Sequence, residues 1–310
     1  FTSSRYFVTK HNPLRNTRPI FRRGLATVVW GNETITTTCD LSKLSEHARC
    51  QFVDLYSKPE DLEQLLAVFS TKFPPHSLIM SNARELFWPF LTRVDTASIL
   101  GMHEMQVLET AAARQIFNRI WPGREDLRVL DVGSGTGGAV LPLLPFVDRL
   151  VCTDSSFWCV QRARSKGLHI LQIDDLSKSP ECDGPFDLIC LQNVLDRCSK
   201  PSSLLQQSIS RLSSQGCVLV AMAMPYTPFV AVSPLTRAFG WSKGTGQTEI
   251  LEIYGESWEL QVNSLLENVL IPAGLKLQLL TRVPYLCQAT QKDHCKFYHL
   301  DVAVLVVSKK

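Results

Sequence analysis

Residues 129–138, VLDVGSGTGG, constrain the fold of this chain more than any other stretch. An apolar run of strand character meets four glycines within six positions, with only Ser134 and Thr136 between them. Glycine on that scale disfavours helix and strand alike, so the bare backbone serves close approach by something else. A glycine turn after a strand places a ligand at the carboxyl edge of a parallel sheet, near a helix N-terminus.

The texture after residue 127 agrees with such a sheet. LRVLDV reads as a buried strand, and the glycine loop leads into a helix through about residue 146. RLVCTD (149–154) is a second strand, and SSFWCVQRARSKG a helix stopped at Gly167. HILQID (169–174) is a third strand and FDLICLQNV (186–194) a fourth. SSLLQQSISRLSSQG is the next helix and CVLVAMAM (217–224) the fifth strand. This alternation predicts a mostly parallel sheet with helices on both faces. The end differs: a helix over 257–274 closes at Pro-Ala-Gly, and LKLQLLTRVPYLC and FYHLDVAVLVVSK follow with no helix between them. Only an antiparallel pair can be joined that way. An α/β fold with a mostly parallel seven-stranded sheet ending in an antiparallel hairpin is the arrangement of class I Rossmann-like methyltransferases, not of dehydrogenases.

Upstream, residues 61–73, 83–100 and 104–121 repeat apolar residues at helical spacing and predict a helical cap. Residues 1–58 are polar and aperiodic. The expected division is an N-terminal basic, irregular extension over 1–58 and a catalytic domain over 59–310, with the cap at 59–124 and the Rossmann-like core at 125–310.

Charge excludes one class of partner. The formal net charge is +3, and residues 1–31 hold six Lys/Arg and no Asp or Glu. The remainder is close to neutral, so no basic groove for nucleic acid is expected. The basic start suits a transit peptide or a solvated tail. No apolar run reaches the length of a membrane-spanning helix, since CVLVAMAM stops at Pro225. Ten cysteines lie at irregular intervals without a Cys-x-x-Cys pair, which is no zinc pattern. Cys152, Cys159, Cys190 and Cys217 fall in apolar runs and are expected as reduced core thiols. Asn32-Glu33-Thr34 forms a glycosylation sequon, of consequence only in the secretory pathway.

Three ligands compete for the loop. A Walker loop needs Lys-Ser/Thr after its last glycine, and Ala139-Val140 stand there. A dinucleotide loop matches in spacing, but Asp131 just before the glycines would repel a pyrophosphate. An acid favours a cation, and S-adenosylmethionine carries a sulfonium and an ammonium. Asp131, Gly133, Gly135 and Gly137 form the first methyltransferase motif, (V/L)-D-(V/L)-G-x-G-x-G. Asp154 ends the second strand, where an acid accepts hydrogen bonds from a ribose diol. Asp174 or Asp175, at the end of the third, suits the adenine amino group. The Asp/Asn-Pro-Pro-Tyr/Phe segment of amino-methylating nucleic-acid enzymes is absent from the fourth strand.

NVLDRC (193–198), MPYTPFV (224–230), EILEIYGESWELQVNSL (249–265) and TRVPYLC (281–287) resemble the methyltransferase-like protein nine (DREV) family. The resemblance runs from about residue 83 to the C-terminus and lapses between Val232 and Thr248. It also departs at Thr136 and at Asp154, where the family tends to have an acid and can have Glu, respectively. It implies S-adenosylmethionine-dependent methylation of the N-pros nitrogen of protein histidines in His-x-His segments. It further implies cofactor contacts on the glycine loop, Asp154, Asn193 and Tyr285. Asp196 is implied as the catalytic carboxylate and Tyr298 as a wall of the substrate pocket. The endoplasmic reticulum or the mitochondrion is the implied location.

The chemistry fits these residues. Attack by N-pros requires its lone pair, so the imidazole proton must sit on the far nitrogen. A carboxylate accepting that far N–H fixes the tautomer and stabilises the imidazolium formed, as in serine-protease triads. The chain's seven histidines include no His-x-His pair, so neither a metal site nor self-methylation is expected, and His103 and His169 read as lone packed or exposed residues. A monomer acting on exposed His-x-His segments is the reading. A small-molecule methyltransferase would share the cofactor site and differ only in its pocket, while a non-catalytic binding module would not need that site.

Overall fold

The computed structural model describes residues 29–30, 35–87, 90–102, 104–231, 247–293 and 295–310. The basic residues from Arg5 to Arg23, the sequon at Asn32, His103 and most of the segment between Val232 and Thr248 lie outside the described residues.

In chain order the elements are β1 (Val29–Trp30), α1 (Glu46–Gln51), α2 (Pro59–Lys72), α3 (Leu78–Phe87), α4 (Arg93–Leu100), β2 (Met105–Gln106) and α5 (Thr110–Ile120). The core follows with β3 (Leu127–Val132), β4 (Val147–Asp154), α6 (Phe157–Ser165), β5 (Ile170–Gln172), β6 (Phe186–Gln192), α7 (Pro201–Ser210) and β7 (Leu212–Met224). It ends with α8 (Trp258–Leu265), β8 (Leu275–Gln288) and β9 (Phe297–Lys309).

The seven expected strands are β3 to β9, and the two-residue β1 and β2 bring the sheet to nine. The order is β2-β8-β9-β7-β6-β3-β4-β5, with β1 on β9. β3, β4, β5, β6 and β7 pair in parallel, and β9 enters antiparallel between β7 and β8. This is the doubly wound sheet with a terminal hairpin that the sequence predicts. Because parallel strands are covered on both faces, their apolar runs are continuous rather than alternating: every residue of β6 except Asp187 is buried. One core lies under α2 and α5, where Phe117 stacks on Phe146 at 4.5 Å. The other lies under α1, α7 and α8.

Several elements differ from expectation for legible reasons. The helix expected through residue 146 is a 3-10 turn, Leu141–Phe146, because Pro142 and Pro145 withhold the amides an α-helix needs. The helix expected over 83–100 is two: α3 ends at Phe87, and α4 begins afresh where the Thr92 hydroxyl caps the Asp95 amide at 3.0 Å. Residues 105–106 pair with the β8 edge instead of extending α5. After α8 the chain continues as a π turn, Leu266–Leu270, before the positive φ of Gly274 stops it.

The packed region also starts before residue 59. Leu44 and Ala48 lie in one core, Leu55 and Tyr56 in the other, and the Val53 amide donates to the Leu280 carbonyl at 2.8 Å. The cysteines expected in the core, Cys152, Cys159, Cys190 and Cys217, are buried free thiols. No helix among the described residues is long and apolar enough to cross a membrane.

Candidate functional site

The turns after β3, β4 and β6 converge at the carboxyl edge of the sheet. Gly133, Gly135 and Gly137 all take positive φ. Three glycines of the loop face protein. A Cβ on Gly133 would stand 2.6 Å from Val194 Cγ2, one on Gly137 2.2 Å from Leu168 Cδ1, and one on Gly138 2.7 Å from the Met105 carbonyl oxygen. Gly135 differs: among the described residues nothing lies within 4 Å of where its Cβ would be. The loop is thus bare mainly so that β3, β6 and the β2 edge can meet, and one glycine fronts open space.

Asp154 holds that glycine in place. Its carboxylate accepts the Gly135 and Ser156 amides, each at 2.8 Å. Burial raises its ionisation above the usual carboxylate range, and the backbone hydrogen bonds oppose this. Ser156 in turn donates from Oγ to Asp95 of α4 at 2.5 Å, and Ser98 of α4 meets Cys159 of α6 at 3.1 Å. These contacts seat the helical cap over the turn that carries Asp154.

Asp131 lies beneath the loop, 1% exposed, so its charge reaches the loop surface only through its field. Burial pushes its carboxyl up to about 6, partly offset by hydrogen bonds from Ser134 and Gln192. One carboxylate oxygen, Oδ2, is buried without a partner. Asn193, at the end of β6, has φ +52 and is the non-glycine residue of positive φ among those described. Both polar atoms of its side chain are buried and unpaired. A strained polar residue with unmet hydrogen bonds is characteristic of a ligand-binding position.

Three residues on, Asp196 is 2% exposed. Oδ2 accepts Arg197 Nε at 2.7 Å, while Oδ1 is buried and unpaired. The Arg197 guanidinium lies over the Phe229 ring at 4.1 Å, and the Phe229 amide donates to the Asp196 carbonyl at 2.9 Å. Burial disfavours the Arg197 charge, but Asp196 more than offsets it and the guanidinium stays protonated. Tyr285 of β8 is close enough to feel both Asp196 and Arg197, and its hydroxyl donates to Met105 Sδ at 2.8 Å. Tyr298 of β9, buried at 8% exposure, stands opposite Cys287. Burial, then Cys287 and Tyr285, raise its phenol well above the usual range.

The structure therefore brings together Asp131, the glycine loop, Asp154 and Asn193, with Asp196, Tyr285 and Tyr298 beside them. Asp174 stands two residues past Gln172, the β5 partner of Asp154. It is exposed and ion-paired with Lys178, while Asp175 accepts the Ser177 amide at 2.9 Å. Gln192, Asp95, Met105 and Phe229 escape sequence reasoning, because their roles arise from contacts between distant segments. Arg197 could have been found, since it directly follows the candidate carboxylate.

The family model described as DREV methyltransferase matches residues 38–309. Among solved structures, the chain is similar to magnesium protoporphyrin IX methyltransferase from Synechocystis with bound SAH, at 16% identity over 65% of this chain and 83% of that one, with a TM-score of 0.40. It is also similar to a TehB-like SAM-dependent methyltransferase from Corynebacterium glutamicum, at 16% identity over 64% of this chain and 86% of that one, with a TM-score of 0.38.

Proposed function

We propose that this chain, which belongs to the DREV methyltransferase family, transfers a methyl group to the N-pros nitrogen of histidine in His-x-His segments of proteins. The methyl donor of this methyltransferase is S-adenosylmethionine. The residues present fit it: Gly135 fronts open space, and Asn193 and Asp131 hold buried polar atoms without partners. Gly135, Asp154 and Asn193 would hold it, with Asp131 supplying negative potential below. When bound, it supplies a methyl group on a positively charged sulfur.

The observation that carries the histidine reading is the division of labour within Asp196. One oxygen is held by Arg197 and the other is buried and unpaired, an acceptor without a donor. An unmet buried carboxylate oxygen is costly unless a ligand N–H completes it. A neutral imidazole offers one N–H and one lone pair. With its N-tele proton against Oδ1, the N-pros lone pair is free and turned toward the cofactor side. The same carboxylate stabilises the positive charge that spreads over the ring as the methyl arrives. After transfer the surplus proton is on N-tele, against Oδ1, and leaves from there. Positioning supplies much of the remaining rate.

Asp196→Asn keeps the shape of the side chain and turns an acceptor into an amide. Transfer to an alternating Ala-His peptide should fall by about 10³-fold or more, in line with loss of the orienting carboxylate in a triad. S-adenosylmethionine affinity by calorimetry should stay within about threefold. Full transfer by the variant, or loss of cofactor binding with it, removes Asp196 from the acceptor role.

A further inference from the structure

We propose that Arg197 is a positioning residue: it clamps Oδ2 of Asp196 and so dedicates Oδ1 to the substrate. The inference rests on the reading of Asp196 as the acceptor carboxylate, and it assigns to the neighbouring residue the task of selecting which oxygen serves.

A carboxylate on a turn can rotate and exchange its two oxygens. Here the exchange is blocked from two sides. Arg197 Nε approaches Oδ2 at 2.7 Å, a charge-assisted bond of good length. The guanidinium is also seated over the Phe229 ring at 4.1 Å, which favours this position over one swung into solvent. Phe229 also ties the turn itself, donating its amide to the Asp196 carbonyl at 2.9 Å. Phe229 belongs to the MPYTPFV run after β7, so a second strand end braces the turn that follows β6. The brace leaves Oδ1 buried and unpaired, and Tyr285 lies within electrostatic reach of Asp196.

Lysine could supply the charge but not the planar N–H that fixes one oxygen. Charge and oxygen selection are therefore separable by substitution.

The test uses the full chain with ¹⁵N-labelled arginine, the Arg197 Nε–H signal being identified by its loss in Arg197→Met. In the free enzyme that proton should exchange with solvent at least about tenfold more slowly than in Asp196→Ala, which removes its acceptor. In the methylation assay Arg197→Met should lower kcat about tenfold to a hundredfold, as expected for a misplaced reacting group. KM for the peptide and the calorimetric Kd for S-adenosylmethionine should change by less than about threefold. Arg197→Lys should restore only part of kcat. Phe229→Leu, which keeps apolar bulk and removes the ring face, should lower kcat about threefold and keeps the test open if Arg197→Met fails to fold. An Nε–H that exchanges equally fast in the wild type and Asp196→Ala, or wild-type kcat in both Arg197→Met and Phe229→Leu, overturns the proposal. The two levels remain distinct. A protected Nε–H in an enzyme that does not methylate the peptide supports the clamp and rejects the histidine reading; an active enzyme with an unprotected Nε–H does the reverse.

Discussion

Replacing Gly135 and Gly133 separately by alanine should dissociate stability from cofactor binding. Both glycines have positive φ, +55° and +70°. An L-residue in that conformation costs about 1–2 kcal/mol. Gly135→Ala adds nothing further to the protein alone, because its Cβ enters open space. Gly133→Ala also drives a methyl to within 2.6 Å of Val194 Cγ2 and 3.1 Å of Val194 Cβ. Valine is branched at Cβ and cannot turn aside cheaply, so overpacking adds about 1–3 kcal/mol. Urea unfolding without cofactor should then show losses of about 1–2 kcal/mol for Gly135→Ala and about 2–5 kcal/mol for Gly133→Ala. Calorimetry with S-adenosylmethionine should rank them in the opposite order, with Gly135→Ala weakening binding by about tenfold to a hundredfold, equivalent to about 1.4–2.8 kcal/mol. A Gly135→Ala protein that binds the cofactor like the wild type would refute the assignment of that open face to the ligand.

Other outcomes follow from buried groups. Burial lowers the His299 titration to about 4, and its Nδ1 has no hydrogen-bond partner. A histidine with depressed folded pKa contributes stability that is present above the unfolded value of about 6.5 and lost as pH falls toward 4, about 3 kcal/mol in all. Asp131, raised to about 6, pulls the opposite way over the same range, so the quantity to measure is the difference in urea stability between wild type and His299→Phe from pH 7 to 4. Wild-type stability minus that of His299→Phe should fall by up to about 3 kcal/mol on acidification, and a constant difference would contradict the burial argument. Among the thiols, Cys50 is exposed, whereas Cys159 is buried and pushed up to about 11 by burial first. Brief iodoacetamide treatment of the folded protein, read by peptide mass spectrometry, should label Cys50 and spare Cys159 until denaturant is added.

The parallel sheet and its terminal hairpin were legible from local signals, while the order of the strands was not. Continuous apolar runs such as FDLICLQ can be satisfied only by cover on both faces, and two such runs without a helix between them can pair only antiparallel. The glycine loop was legible as a turn but not in its detail. Sequence cannot say that Val194, Leu168 and the Met105 carbonyl occupy the space at three of its glycines, since those partners come from three other segments. The 3-10 turn over Leu141–Phe146 was within reach, because Pro142 and Pro145 are plain in the sequence. The packing of Leu44, Ala48, Leu55 and Tyr56 was not, because short segments without periodicity reveal no face. At the site, acids at strand ends look alike in sequence. Asp154 is engaged by two loop amides and Asp174 by an exposed lysine, and only the fold tells them apart.

The central claim is the identity of the accepting atom. Wild-type protein incubated with methyl-labelled S-adenosylmethionine and an alternating Ala-His peptide, followed by hydrolysis and chromatographic separation of the two methylhistidine isomers, tests it directly. The account predicts N-pros-methylhistidine and none of the N-tele isomer. Label on N-tele, or none on the peptide, would contradict it.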